Sequence, residues 1–209
     1  MDYKNFLSRL FVSLLIFTTY IILVYLDKNY LIIFGLIIYF IILYEIIKFF
    51  KKKIYYIIYL YIIISFSFFY FYTSIYFNFL EFNFFILIII LFDTSSYLLG
   101  SRFGKNKILN NLSPNKTLEG YIYGIIVTNI LLIFFVIYFY KILLFDKIIF
   151  INLIILTSLI GDLLQSYFKR INTLKDSSNY LPGHGGFFDR FDSFTFSIIF
   201  LTIYNLISI

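Results

Sequence analysis

The chain contains no cysteine, no tryptophan and no alanine, a single histidine and two prolines. Without cysteine there is no disulfide, no thiolate zinc site and no thiol nucleophile. One histidine, His184, excludes a multi-histidine metal centre. Charge is also scarce: Asp, Glu, Lys and Arg make up 13% of the 209 residues, against roughly 25% in ordinary soluble domains. What fills the chain instead is apolar. Hydrophobic types reach 62%, with 30 Phe and 21 Tyr, and the mean hydropathy is +0.94. These values exclude a soluble globular domain, a disordered chain and a fibrous repeat. They leave an all-α polytopic membrane helix bundle. The bias towards Phe, Ile, Tyr, Asn and Lys resembles an AT-rich coding sequence and carries no functional information. A polar residue or glycine that persists in such a chain is correspondingly informative.

About seven spans of some 20 residues are expected, near 8–26, 30–50, 54–73, 82–100, 121–140, 148–168 and 191–208. The first is expected to remain as an uncleaved helix, because no small-x-small cleavage site follows it. With the N-terminus in the cytoplasm, fourteen of the 17 Lys and Arg fall in cytoplasmic segments, and only Lys28, Lys141 and Lys147 fall outside. The positive-inside rule selects this orientation. It places both long polar loops, 101–120 and 169–190, on the cytoplasmic side, where nucleotides are. The net charge of +6 follows from topology and anionic lipid and gives no reason to expect nucleic acid as a partner. Residues 1–80 read as N-terminal transmembrane helices and 81–209 as the catalytic membrane part, together one structural unit.

Polar residues concentrate in the second part. Asp93, Asp162, Asp189 and Asp192 lie within or at the edges of spans. A carboxylate at membrane depth costs about 2.5–3.5 kcal/mol, so it usually faces a cavity, a cation or a partner. Glu45 and Glu81, close to span ends, read as interfacial. Asp162, Gln165, Ser166 and Lys169 follow i, i+3, i+4, i+7, which puts them on one helical face. That stripe suits a cavity wall; it also suits a helix–helix hydrogen-bond seam, and Lys169 and Arg170 alone would suit snorkelling. Residues 182–192 read PGHGGFFDRFD. Gly-rich backbone presents N–H groups to phosphate, and the loop opens the last span, whose N-terminus favours anions. Asp189 and Asp192, at i, i+3, combine with Asp162 into a candidate Mg²⁺ site, since that ion takes one to three carboxylates and completes its shell with phosphate and water. The segment 93–120, with Asp93, four basic residues and a Ser113–Thr117 turn, suits phosphate binding or simply a basic loop. From these residues alone the reading is a membrane enzyme for a phosphate-rich substrate, working by phosphoryl or nucleotidyl transfer.

The run SYFKRINTLKDSSNYLPGHGGFFDRFDS, 166–193, resembles the signature of phosphatidate cytidylyltransferases (CDP-diacylglycerol synthases). Gly161–Asp162–Leu163 fits the same pattern. Asp93…Tyr97…Gly100…Phe103–Gly104 and Ser113–Pro114–x–Lys116–Thr117–x–Glu119–Gly120 resemble the family's upstream stretch. The resemblance implies that CTP and phosphatidate give CDP-diacylglycerol and pyrophosphate at an inner-membrane site facing the cytoplasm. It implies Mg²⁺, and a second, monovalent cation such as K⁺. Carried over by position, Asp162, Asp189 and Asp192 are metal ligands. Lys169, Arg170, Lys175, Asp176, His184 and Arg190 are catalytic. Ser166, Gly183, Gly185, Gly186, Asp93, Lys116, Thr117 and Glu119 bind substrate. A homodimer is compatible with the resemblance. Gln165 departs from it, standing where many members carry an acid, and so does Leu118, which replaces a common Trp. A CTP-dependent polyprenol or dolichol kinase would use related chemistry but release CDP. A cation transporter would use the carboxylates as a path, although no internal repeat supports it.

Overall fold

The computed structural model describes residues 18–23, 25, 27–51, 54–108, 112–113, 116–140, 145–181 and 185–207. Most of the first expected span therefore lies outside the described residues; its C-terminal turns, 18–23, are helical. The regular structure of the described part is helical, with no named strand. α1 is Lys28–Phe49, α2 Tyr55–Phe71, α3 Phe79–Phe103, α4 Leu118–Tyr140, α5 Phe145–Ile171 and α6 Asp192–Ile207. α1, α3, α4 and α5, and α2 together with the π-helical turn that continues it to Tyr76, are each long and apolar enough to cross a bilayer, and α6 is a shorter apolar helix. The molecule is an integral membrane helix bundle, as its composition requires.

Helix ends extend beyond the apolar runs by up to three residues. Hydropathy marks the hydrocarbon layer, whereas the backbone ladder continues into the polar interface. The break expected near 73–83 is shorter than the sequence suggests. α2 passes into a π-helical turn, Tyr72–Tyr76, where the Thr73 hydroxyl donates to the carbonyls of Phe69 (2.8 Å) and Tyr70 (3.1 Å). α3 then starts at once, because the Asn78 side chain accepts from the N–H groups of Leu80 (3.0 Å) and Glu81 (3.2 Å).

Consecutive helices pack as antiparallel neighbours: α1 on α2, α3 on α4 and α5 on α6, with α2 also against α6 and α3 against α5. The core between them is aliphatic and phenyl, with Ile42, Ile46, Ile58, Ile62, Phe85, Ile88, Ile151, Ile154, Ile198 and Leu201 fully buried. Lipid tails are as apolar as these side chains, so small residues and interhelical hydrogen bonds set the fit. One polar seam crosses three helices. Tyr39 OH on α1 and Ser65 Oγ on α2 share a hydrogen bond of 2.6 Å, and Ser65 Oγ donates to the Thr195 carbonyl on α6 at 2.6 Å. Tyr61 OH joins Thr195 Oγ1 at 2.9 Å. The seam holds the first turn of α6 in place, and Asp192 is the first residue of that turn. On the other side Gly161 of α5 admits α6. A Cβ at position 161 would lie 2.7 Å from the Asp192 carbonyl and 2.9 Å from Phe196 Cβ.

Both long polar connections, 104–117 and 172–191, lie at one end of the bundle. Arg170 Nε donates to the Leu112 carbonyl at 2.9 Å, joining the second connection to the first. Lys48 at the end of α1 donates to Tyr180 OH at 3.1 Å. Lys51, Arg102, Lys105, Lys107, Lys116, Lys169, Lys175 and Arg190 belong to this end, and Lys28 and Lys147 to the opposite one. The charge asymmetry read from the sequence is thus an asymmetry of the folded bundle.

Candidate active site

A cavity of about 640 Å³ opens at the polar end, lined by α3, α4, α5, the start of α6 and both connections. Asp93, Ser96, Tyr97, Lys116, Thr117, Tyr121, Asp162, Asp189, Arg190, Asp192 and Ser193 are in its wall. Three of its carboxylates come from three helices. Asp93 accepts from Ser158 Oγ (3.3 Å) and Ser193 Oγ (3.4 Å). Ser193 N–H donates to Asp192 Oδ1 at 2.8 Å, so one serine joins Asp93 to Asp192. Asp162 accepts from Tyr121 OH at 3.4 Å and forms an ion pair with Lys116. Lys116 also donates to Ser166 Oγ at 3.3 Å.

The polar stripe on α5 divides between two partners. Asp162 and Ser166 hold Lys116. Gln165 and Lys169, which lie between and beyond them, each donate to Asp189 Oδ1 at 2.7 Å. Asp189 Oδ2 accepts from Ser177 N–H (2.7 Å), Ser177 Oγ (3.0 Å) and Gly186 N–H (3.0 Å). Burial pushes this carboxyl up, but the Lys169 ammonium and the N–H donors outweigh it and hold Asp189 below the usual carboxylate range. Asp189 thus has four donors to itself and shares a fifth, the single Ser177 O–H, with Glu45, whereas Asp93, Asp162 and Asp192 each keep acceptor capacity towards the cavity. Gln165, in place of an acid, supplies an amide N–H here, where an acid would face Asp189 with a second negative charge.

Several site expectations change. Glu45 is not interfacial. It is 0% exposed, and accepts from Ser178 Oγ (2.7 Å), Phe187 N–H (2.8 Å), Phe188 N–H (3.0 Å) and Ser177 Oγ (3.2 Å). It reaches this position because the 172–191 connection folds back over the end of α1. Glu119 is half-buried and absent from the cavity wall; it accepts from the backbone N–H groups of Lys105 (3.0 Å) and Asn106 (3.0 Å), bonds that are open to solvent. Arg170 binds the carbonyls of Leu112 and Leu174 (3.0 Å). Gly186 does not offer a free N–H to phosphate, since that group is on Asp189. Its lack of a side chain has another cause: a Cβ there would lie 2.7 Å from both Glu45 oxygens. Gly185 takes a φ of 79°, which favours glycine. Lys175 and Asp176 are exposed on the second connection. Gly183 and His184 lie outside the described residues. Glu81 stands half-buried in the first turn of α3.

Sequence reasoning missed Ser96, Tyr121 and Ser193 in the wall, and Glu45 behind it. Glu45 is an acid in an otherwise apolar run, the same signal that singled out Asp162; its nearness to the span end hid it.

The profile of the cytidylyltransferase family matches residues 50–208. The chain belongs to the cytidylyltransferase family. Among similar proteins, the phosphatidate cytidylyltransferase of Staphylococcus haemolyticus is 42% identical over 127 residues, covering 56% of this chain and 45% of the relative. That of Staphylococcus aureus is 41% identical over 120 residues, 56% of this chain and 45% of its own length. That of Bacillus subtilis is 39% identical over 115 residues, 52% and 41% respectively. The matched stretch therefore spans less than half the length of these relatives. The family match includes the entire cavity wall, Asp93 to Ser193.

Proposed function

We propose that this membrane cytidylyltransferase-family protein converts CTP and phosphatidate to CDP-diacylglycerol and pyrophosphate, at an inner-membrane site that opens to the cytoplasm. The observation that carries this reading is the cavity itself, in which Asp93, Asp162 and Asp192 face Lys116 and Arg190 at the basic end of a lipid-embedded bundle. A phosphate oxygen of the lipid attacks the α-phosphorus of CTP, the bond to the β-phosphate breaks, and pyrophosphate leaves. No covalent enzyme intermediate is required. Lys116 and Arg190 neutralise phosphate charge at the wall. Lys169 acts through Asp189, holding the second connection against α5. Residues 1–80 and 81–209 serve as one unit in this reading.

The donor chemistry of the wall fits Mg²⁺. Among the described residues no three carboxylates or imidazoles converge as a preformed metal cluster. Mg²⁺ is ordinarily held by one or two carboxylates together with substrate phosphates and water, and Asp162, Asp192 and Asp93 offer that set. In this reading Asp93 takes the place that the family resemblance gives to Asp189, whose oxygens are engaged. The ion would neutralise charge developing on the phosphates. A monovalent cation such as K⁺ would find further carboxylate and hydroxyl oxygens in the same wall.

The test is turnover by the purified protein in lipid or detergent, with labelled CTP, phosphatidate and Mg²⁺. CDP-diacylglycerol with equimolar pyrophosphate, lost on chelation, is the expected result. Formation of CDP with a new lipid phosphate, assayed on polyprenol, would replace it with the kinase reading.

A further inference from the structure

We propose that Glu45, which precedes the family-matched stretch, is a positioning residue that fixes residues 177–178 and 186–188 and through them the Asp189 and Arg190 side of the cavity. The inference rests on the reading of that cavity as the cytidylyltransferase site. Glu45 does not line the cavity, so it is not a catalytic residue. A carboxylate offers about four acceptor sites; three donors here belong to Glu45 alone and the fourth, the Ser177 hydroxyl, is shared with Asp189. Oε1 takes Ser178 Oγ and Phe187 N–H, and Oε2 takes Ser177 Oγ and Phe188 N–H. None of these donors is charged, so the carboxylate is bound by the fold of the segment itself. The Ser177 hydroxyl lies 3.2 Å from Glu45 and 3.0 Å from Asp189, and its single proton can be given to either, which connects the buried Glu45 side chain to the wall of the cavity.

The same end of α1 grips the segment elsewhere. Tyr44 stacks on Tyr180 with centroids 6.2 Å apart. Phe50, just after α1, meets Phe188 edge-on at 6.1 Å. Lys48 donates to Tyr180 OH. The absence of a side chain at Gly186 is what lets Glu45 enter. A helix with no residue in the cavity wall thereby dictates the conformation of one side of it.

Glu45→Gln is the informative substitution. Serine hydroxyls can turn away from an amide NH₂, but whichever oxygen becomes nitrogen, one backbone N–H, of Phe187 or Phe188, is left facing a donor. Hydrogen exchange of the full-length protein in lipid nanodiscs reads this directly. Exchange over 177–188 is expected to quicken about tenfold, with α3, α4 and α5 unchanged. The kcat for CTP is expected to fall about tenfold, and Glu45→Gln with Ser178→Ala to be no worse than Glu45→Gln alone. Unchanged exchange over 177–188 would overturn the proposal. So would a rise spread evenly over all helices, which is the signature of general destabilisation. Should Glu45→Gln fail to insert, Ser178→Ala, which removes a donor to Glu45 and none to Asp189, provides the same local readout, and no change there would equally overturn it. If the wild-type protein turned over no CTP, the exchange result would still decide the role of Glu45 while the proposed reaction alone failed.

Discussion

The two polar connections at the basic end are held by the same device in two different settings. In each, one glutamate accepts from two successive backbone N–H groups: Glu119 from Lys105 and Asn106, Glu45 from Phe187 and Phe188. Glu119 is half-buried, with its hydrogen bonds open to solvent, and lies 13–14 residues from its donors. Glu45 is fully buried and lies 142–143 residues from its donors. Water competes for the first set of bonds and salt screens them, while α5 adds ties of its own to Leu112 and Lys116. The second set forms only when α1 has docked, and once formed it has no solvent to exchange with. Lys116 therefore enters the cavity on the arm with the looser, water-exposed glutamate clamp, and Asp189 and Arg190 on the arm with the rigid, buried one.

The largest effect is expected where both arms converge. Asp162→Asn removes the partner of Lys116 and one of the proposed metal-holding carboxylates. It should lower kcat by about 10²-fold or more while circular dichroism stays unchanged. Near-normal turnover would separate the cavity from the chemistry.

Next comes the rigid arm. Lys169→Met leaves Asp189 buried without its ammonium and is expected to cost about 3–5 kcal/mol, seen as a lower unfolding temperature. The pH dependence follows from the same pair. Asp189 is held below its ordinary value, so its contribution is complete above the unfolded carboxylate pKa of about 3.9. It is lost as pH falls through the lower folded value. Exchange over 177–188 should therefore rise only below about pH 4, and Asp189→Asn should abolish that acid step. Acid opening at neutral pH would mean that the Lys169 pair is not what pins this arm.

The approach of α3 to α4 supports the looser arm. A Cβ at Gly120 would lie 2.7 Å from the Gly100 Cα and 2.9 Å from the Ser96 carbonyl. Gly120→Ala is expected to destabilise by about 1–3 kcal/mol, measured by thermal unfolding in detergent. No loss would show that these helices can separate freely. Smallest of all, Glu119→Gln should change kcat less than about threefold, and less still at high salt. An effect at Glu119 equal to that of Glu45→Gln would reverse the comparison.

Much of the bundle was legible because a bilayer imposes it. Apolar runs of membrane length have only helices available to them, and their approximate limits follow. The stripe of Asp162, Gln165, Ser166 and Lys169 was legible as a single face for the same reason, since 3.6 residues per turn is a local property. That this face serves Lys116 with one half and Asp189 with the other was not, because both partners arrive from other segments. Asp93 could be marked as an unusual carboxylate in a span, yet its link to Asp192 runs through Ser193, an ordinary serine until α6 packs against α3 and α5. Arg170 reads as a phosphate binder beside Lys169, but in the fold it ties two connections together.

The sequence by itself determined that the chain lives in a membrane as helices, that its basic residues gather at one end, and that its carboxylates cluster in the second half. Desolvation and charge act on composition and local order, so they can be read without coordinates. Only the tertiary structure decided which carboxylates face the cavity and which are consumed in holding it. A carboxylate's task depends on how many donors reach it, and for Glu45 and Asp189 those donors include backbone N–H groups that no residue type announces.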